Sequence, residues 1–255
     1  MKKIINLAIL CASACGVSGA AHADFDKGSR ENCAGLPRHA ELRAALSSAR
    51  HAGGGNGGFD LDMWGAVVNR DGIVCAIAFT GNDRGDQWPG SRIISAQKAN
   101  TANAFSLPGL ALSTANLYTA VQPGGSLFGL QHSNPVDTEA AYKGSSQNYG
   151  RSNDPLVGKK IGGVNVFGGG LALYNGSGVL VGAIGVSGDS SCADHNIAWR
   201  TRHELGLDRV PAAAAVSGDT VRPDNIVYDS KSGWGHPSCS AAATAIAARL
   251  PAVQQ

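Results

Sequence analysis

The stretch that most constrains the fold runs from Gly162 to His195 and reads GGVNVFGGGLALYNGSGVLVGAIGVSGDSSCADH. Two apolar runs, Gly170 to Tyr174 and Val179 to Val186, flank the turn residues NGSG, which is typical of a β-hairpin. The second run is apolar on both faces, so its strand should be buried on both sides. The glycine-lined loop 187–191 then leads into a helix. Such a junction lets a flat ligand approach the backbone closely, so we expect a site here; a tightly packed hairpin is the alternative.

The N-terminal residues 1–23 are typical of an export signal. Lys2 and Lys3 precede an apolar run, and Ala21-His22-Ala23 forms a small-x-small cleavage site. We therefore expect a mature chain from Asp24, located in the periplasm or secreted, with no membrane span. Residues 24–255 are long enough for one domain with a substantial core.

Charge argues against nucleic acid as a partner. Removing Lys2 and Lys3 from the 21 basic residues leaves 19, which balances the 19 acidic residues, and no run of lysine or arginine occurs. The partner expected from the sequence is a small molecule.

Four cysteines remain after the predicted cleavage, and an even number in an exported chain favours two disulfides over metal binding. Three pairings are possible. We favour Cys33 with Cys75 and Cys192 with Cys239, because each bridge would tie a terminal segment to the nearest core element. The sequence contains no Cys-x-x-Cys pair of the kind that binds zinc. It contains no Cys-x-x-Cys-His motif either, which excludes covalent attachment of haem.

The remaining periodicity predicts helices interleaved with a second hairpin. Segment 122–163 has little regular pattern, so we interpret it as an irregular insertion acting as a lid or interface arm. We interpret residues 208–255 as a C-terminal extension. The pattern indicates a single α+β domain, with a mainly antiparallel sheet of about five strands covered by helices. Helices are predicted at Leu36–His51, Ser91–Phe105, Ser113–Val121, Ala193–Leu207 and Ser240–Leu250, and further strands at Met63–Asn69, Ile73–Phe79 and Ile226–Tyr228.

Two motifs resemble the GlcG/HbpS-type family of haem-binding proteins. The predicted helix carries SAQKANTA at 95–102, similar to the family pattern Ala-x-x-Lys-Ala-x-x-Ala. The second strand reads GVLVGAIGVSG at 178–188 and is followed by Asp194, as in the family. Residues 162–165 read GGVN in place of the family's Gly-Gly-x-Pro. The resemblance covers about residues 63–205.

This resemblance implies a profilin-like α+β fold, non-covalent binding of haem or a similar planar anionic ligand, and assembly into homo-oligomers. Some family members degrade haem. An enzyme acting on haem or on a small oxygenated metabolite is therefore the alternative, and an oligomeric accessory protein without catalysis is a further one. No Gly-x-Ser-x-Gly, His-Glu-x-x-His or P-loop motif is present, which favours binding over catalysis.

The predicted ligand site groups residues around the end of the second strand: Lys98, Ser187, Gly188, Asp194, His195 and Trp199. Lys98 could bind a propionate, or its ammonium could pair with a carboxylate inside the core. Asp194 could recognise a polar ligand, or could simply stabilise a helix N-terminus.

Haem iron usually needs an axial ligand such as histidine, and His195 and His132 are the predicted iron ligands. His195 and Trp199 form a stripe that some partner must cover. A ligand, segment 122–163, another subunit or the C-terminal residues 233–239 could do so. His132 lies in an irregular loop, where a histidine is more often simply solvated, and we interpret His39 as structural or solvent-facing.

Overall fold

The computed structural model describes residues 32–228 and 230–254, so the predicted signal peptide lies outside the described residues. Among the described residues, no helix is long and apolar enough to cross a membrane. Single-turn 3-10 helices also occur at 146–148, 212–214 and 230–232. The main elements, in chain order, are α1 (His39–Arg50), β1 (Trp64–Asn69), β2 (Val74–Phe79), α2 (Ser91–Phe105), α3 (Thr114–Val121), α4 (Leu130–Ser133), α5 (Thr138–Tyr142), β3 (Gly170–Tyr174), β4 (Leu180–Ser187), α6 (Ser191–Glu204) and α7 (Ala241–Ala247).

The four strands form one antiparallel sheet in the order β2-β1-β4-β3. Both predicted hairpins are present, and β1 joins them by pairing with β4, with Val67 opposite Ile184. The α+β class and the antiparallel sheet are therefore confirmed, with four strands in place of about five.

The predicted strand Ile226–Tyr228 is wrong, because side chains take the hydrogen bonds that a neighbouring strand would supply. The Val227 N–H donates to the side chain of Asn116 at 2.8 Å. The Ile226 N–H donates to the side chain of Asn225 at 2.9 Å. This segment runs over α3 and α6 as an irregular chain, since its backbone is already satisfied there.

Helices cover both faces of the sheet, as the alternation of its strands requires. On one face, Val67 and Val186 pack in a cluster with Leu46 of α1 and Ile197 of α6. On the other face, the next residues along the strands pack against α2; this second cluster includes Ala66, Val68, Ala183, Ile93 and Ala99.

Gly185 of β4 allows α2 to lie almost directly on the sheet. A Cβ atom at this position would stand 1.9 Å from the Ser95 carbonyl oxygen and 2.5 Å from the Ala99 nitrogen. Both contacts are with helix backbone, which cannot rotate away. The glycine in the family-like motif is therefore required by packing.

The irregular insertion is packed against the sheet edge. Its residues Ala141, Leu156 and Ile161 are fully buried. Residues 157–160 run along β2, where the Val74 N–H donates to the Lys159 carbonyl at 2.8 Å and the Gly158 N–H donates to the Val74 carbonyl at 2.8 Å. Over these residues the segment acts as a fixed cover of the sheet edge.

Both expected disulfides are formed. Cys33 is bonded to Cys75 of β2, and Cys192 of α6 is bonded to Cys239 just before α7. The second bridge fastens the C-terminal segment to the start of α6. Such bridges typically contribute about 2–4 kcal/mol each.

We expect Gly185→Ala to lower the free energy of unfolding by about 1–3 kcal/mol or more, because α2 must move away from β4. Gly176→Ala is the matched control, since a Cβ there meets no atom within 4 Å. Urea unfolding followed by tryptophan fluorescence measures both. Equal midpoints for the two variants would contradict the packing role of Gly185.

Candidate functional site

Lys98 and Asp194 form a buried ion pair at the end of β4. The Lys98 ammonium donates to Asp194 Oδ2 at 2.7 Å and to the Val186 carbonyl at 3.0 Å. Asp194 Oδ1 accepts the Asp189 N–H at 2.9 Å. Both side chains are at most 3% exposed. Of the two sequence interpretations of Lys98, the structure shows the ammonium held by a carboxylate.

Burial governs the protonation of this pair. Loss of solvent lowers the pKa of Lys98, against the opposing charge of Asp194. Burial likewise raises the pKa of Asp194 to about 6, and the nearby Lys98 charge only partly offsets it. The pair is thus costly to keep inside the protein and costly to separate.

The loop that follows β4 is filled by the protein's own chain. Gly188 lies so close to the segment 59–63 that a Cβ would stand 2.5 Å from the Asp62 carbonyl oxygen. The Asp189 carboxylate accepts the N–H groups of Phe59 and Leu61 at 2.8 and 3.2 Å. Ser187 contacts Ser91 through the two hydroxyl groups, 3.2 Å apart. This corner is therefore tightly packed, in agreement with the alternative interpretation of the hairpin sequence.

His195 and Trp199 are both fully buried beneath the C-terminal segment. His195 Nε2 lies 3.1 Å from Asn225 Oδ1, and the Trp199 indole N–H donates to the Pro251 carbonyl at 3.0 Å. Of the alternatives for covering this stripe, the structure supports packing within the chain. The contacts come from Asn225 and Pro251, which lie outside the expected range 233–239. Trp199 is not an exposed subunit interface. A homo-oligomer stays a prediction.

Burial also determines the charge of His195. Loss of solvent lowers its pKa to about 4, against the opposing effect of Asn225 Oδ1, which can accept a hydrogen bond from the ring. The ring is therefore neutral at pH 7. The side chains of His195 and Lys98 both lie in packed surroundings. Ligand contacts by these residues and their neighbours stay a prediction.

His132 lies on the short helix α4 and is exposed. It borders a pocket of about 260 Å³ together with Val121 and Phe128. This volume is just below the roughly 300–1,000 Å³ of typical small-molecule pockets. His195 is fully buried and does not line this pocket, so the two predicted iron ligands do not share it.

A larger groove lies between the N-terminal segment and the edge strand β2. We call it the His39 groove; its volume is about 660 Å³, within the range of small-molecule pockets. It is closed on one side by the Cys33–Cys75 disulfide and on the other by the insertion. Its accessible lining is about equally polar and apolar, and it includes Leu36, Pro37, Ala76, Ile77 and Val157, with Arg38, His39 and Arg151.

The ring of His39 is held by a single well-placed hydrogen bond. Its Nε2 lies 2.9 Å from the Gly150 carbonyl oxygen, which can only accept, so Nε2 carries the proton. Gly150 is itself fixed against Phe79 and Trp64. Nδ1 is then the unprotonated nitrogen, and it has no hydrogen-bond partner among the described residues. Histidines that bind a metal commonly donate their other N–H to a carbonyl in this way.

Two arginines give the groove a positive charge. Arg38 and Arg151 are exposed, and no acidic residue lines the groove. Arg151 uses its Nε–H on the Gln147 carbonyl at 2.9 Å, and its terminal nitrogens make no ion pair within residues 32–228 and 230–254. An exposed guanidinium group without an ion-pair partner can bind the carboxylate of a ligand.

Sequence reasoning missed this groove because its parts are far apart in the chain. His39 begins α1, Ile77 lies on β2, and Arg151 belongs to the insertion. The one available signal was the adjacent pair Arg38-His39, at a helix start that is next to a cysteine-linked segment.

Comparison with known proteins places residues 41–202 in a family model described as "Haem degrading protein HbpS-like". The match spans well over half of the chain, so the protein belongs to the HbpS-like family. No curated protein sequence matches it.

Two solved structures are similar to the chain. One is the crystal structure of a PduOC–heme complex, at 23% identity and a TM-score of 0.45, covering 67% of this chain and 94% of the other. The second is Klebsiella pneumoniae protein ORFY, of family DUF336, at 23% identity and a TM-score of 0.43, covering 66% and 87%.

Substitutions of Lys98 and Asp194 should be strongly coupled in their effect on the free energy of unfolding. We expect Lys98→Met or Asp194→Asn to cost about 3–5 kcal/mol, because each leaves a buried group without its partner. The double variant should cost less than the sum of the two. Lys143→Met, in the exposed pair with Glu139, should cost under about 1 kcal/mol. Additive costs in urea unfolding would contradict the coupling.

The buried His195 should make the protein less stable in acid. Its folded pKa lies below the unfolded value of 6.5, so the unfolded state binds more protons between pH 6.5 and about 4. Stability is therefore lost as the pH falls through this window, by up to about 3 kcal/mol. His195→Gln lacks this contribution, so its deficit against the wild type should shrink from pH 7 to pH 4.5. Asp194 is common to both proteins and cancels. A pH-independent deficit would be inconsistent with a neutral buried ring.

Proposed function

We propose that this protein is an exported haem-binding protein that holds haem non-covalently in the His39 groove. The observation that carries the proposal is the groove itself, which combines a partly apolar lining, one oriented imidazole and two arginines. Membership of the HbpS-like family supports haem as the ligand. Export is supported by the two disulfides, which persist in oxidising compartments.

The residues present fit the chemistry of haem. A porphyrin ring needs apolar contacts, which Leu36, Pro37 and Val157 would provide. An axial ligand needs a nitrogen lone pair, which His39 Nδ1 offers while Gly150 orients the ring. The two propionates need cationic donors, for which Arg38 and Arg151 are suited.

The ligand itself would supply the iron chemistry, and the described residues would bind and orient it. Haem degradation, which the family's description names, would require the same bound complex. We therefore propose binding as the function, with His39 and the positive charge of the groove as its main determinants.

Titration of the purified protein with hemin should shift the Soret band and saturate at one haem per chain. His39→Ala should abolish or displace the shifted band, because the ring supplies the proposed iron ligand. Arg38→Gln with Arg151→Gln should weaken binding by at least about tenfold and leave the band position unchanged, since charge-assisted hydrogen bonds are lost.

His132→Ala and His195→Gln are the matched controls, because those histidines were the alternatives from the sequence. Both should bind hemin as the wild type does. If His195→Gln alone loses the band while His39→Ala keeps it, the site lies at the end of β4 and the His39 groove is excluded. A titration without any band shift would refute haem binding altogether.

A further inference from the structure

The Cys192–Cys239 disulfide is exposed on one side only. Cys192 belongs to the first turn of α6 and is fully buried. Cys239 stands in the turn before α7 and is exposed to solvent. In the other bridge, both Cys33 and Cys75 are half-buried. Cys239 is therefore the most exposed of the four cysteines, and the one that a thiol from solution reaches most easily.

Each sulfur of this bridge accepts a hydrogen bond from one backbone N–H group. The Cys192 N–H donates to Cys239 Sγ at 3.2 Å, and the Cys239 N–H donates to Cys192 Sγ at 3.2 Å. Nδ1 of His236 lies 3.9 Å from Cys192 Sγ. The Pro237 carbonyl, 3.7 Å from the same sulfur, is placed to accept the proton of a thiol. The site can thus hold Cys192 either as a thiolate or as a thiol.

The first bridge lacks these amide donors. A carbonyl oxygen lies beside a sulfur in both bridges, at 3.5 Å from Cys75 Sγ and 3.7 Å from Cys192 Sγ, so it does not distinguish them. Within the described chain, no N–H group donates to the sulfur of Cys33 or Cys75. A disulfide opens more readily when the leaving sulfur is stabilised as an anion, so the two bridges should differ in reactivity.

We propose that Cys239 is a site of thiol–disulfide exchange, which takes a small-molecule thiol as its partner. The thiolate of that molecule attacks Cys239 Sγ, and a new S–S bond forms between them. The bond to Cys192 breaks, and its electron pair stays on Cys192 Sγ as a thiolate beside the Cys239 N–H. The proton of the entering thiol passes to solvent. A second small-molecule thiolate then attacks the sulfur of the attached thiol. Cys239 is released as a thiol, and the two small molecules leave joined by a disulfide.

Opening this bridge removes the covalent attachment of the C-terminal segment to α6. The segment still contacts α6 through other groups, such as the Asn196 side-chain amide, which donates to the Ala243 carbonyl at 3.2 Å. Exchange is therefore compatible with a folded chain. It also does not depend on haem, because the site is separate from the His39 groove.

The experiment exposes the purified protein to increasing concentrations of glutathione, with acid quenching and alkylation by N-ethylmaleimide at set times. Peptide mass spectrometry then measures each cysteine. We expect Cys192 and Cys239 to become alkylated at least about tenfold faster than Cys33 and Cys75, with glutathione attached to Cys239 and none to Cys192. Circular dichroism of the same samples should remain that of the folded protein.

The Cys33–Cys75 bridge is the internal control, because it meets the same thiol in the same molecule. Equal rates for both bridges, faster opening of Cys33–Cys75, or glutathione on Cys192 would each overturn the proposal. Loss of the folded spectrum in step with exchange would overturn it as well, since unfolding would then be the cause. A Cys33→Ala, Cys75→Ala variant should retain the exchange rate at Cys239.

Discussion

The buried ion pair between Lys98 and Asp194 fixes the relative position of the two helical layers. Lys98 comes from α2 on one face of the sheet, and Asp194 comes from α6 on the other, so the pair closes around the end of β4. A buried pair of this kind adds little net stability, but it is costly to break. The close contact of α2 with Gly185 acts in the same direction. The motif residues Lys98, Gly185 and Asp194 thus serve to pack the two helical layers onto the sheet.

Because that corner is filled, the groove best suited to a ligand lies elsewhere, beside the edge strand β2. Arg38 and His39 precede the residues matched by the family model, which begin at 41, and Arg151 belongs to the irregular insertion. The groove is therefore built by the chain's own N-terminal segment and insertion around a family core. Family membership supports the ligand, and the local residues support its place.

Local patterns in the sequence were enough to predict most of the fold. Periodicity and turn residues located both hairpins and α2, since these depend on neighbouring residues. Ile226–Tyr228 was wrong because its backbone partners are side chains distant in sequence. The cover over His195, and the meeting of His39 with Gly150 across 111 positions, depend on tertiary contacts that no local pattern encodes. The site was for that reason the least predictable part.

The short run 157–160 along β2 has a consequence for how copies of this protein can meet. It occupies hydrogen-bonding groups of Val74 that an unpaired strand would offer to a neighbour. At the other edge, the Tyr174 N–H of β3 donates to the Leu207 carbonyl at 2.9 Å. A continuous intermolecular sheet would have to displace these segments first. At Val74 and Tyr174, strand addition by another copy is therefore opposed by segments of the chain itself.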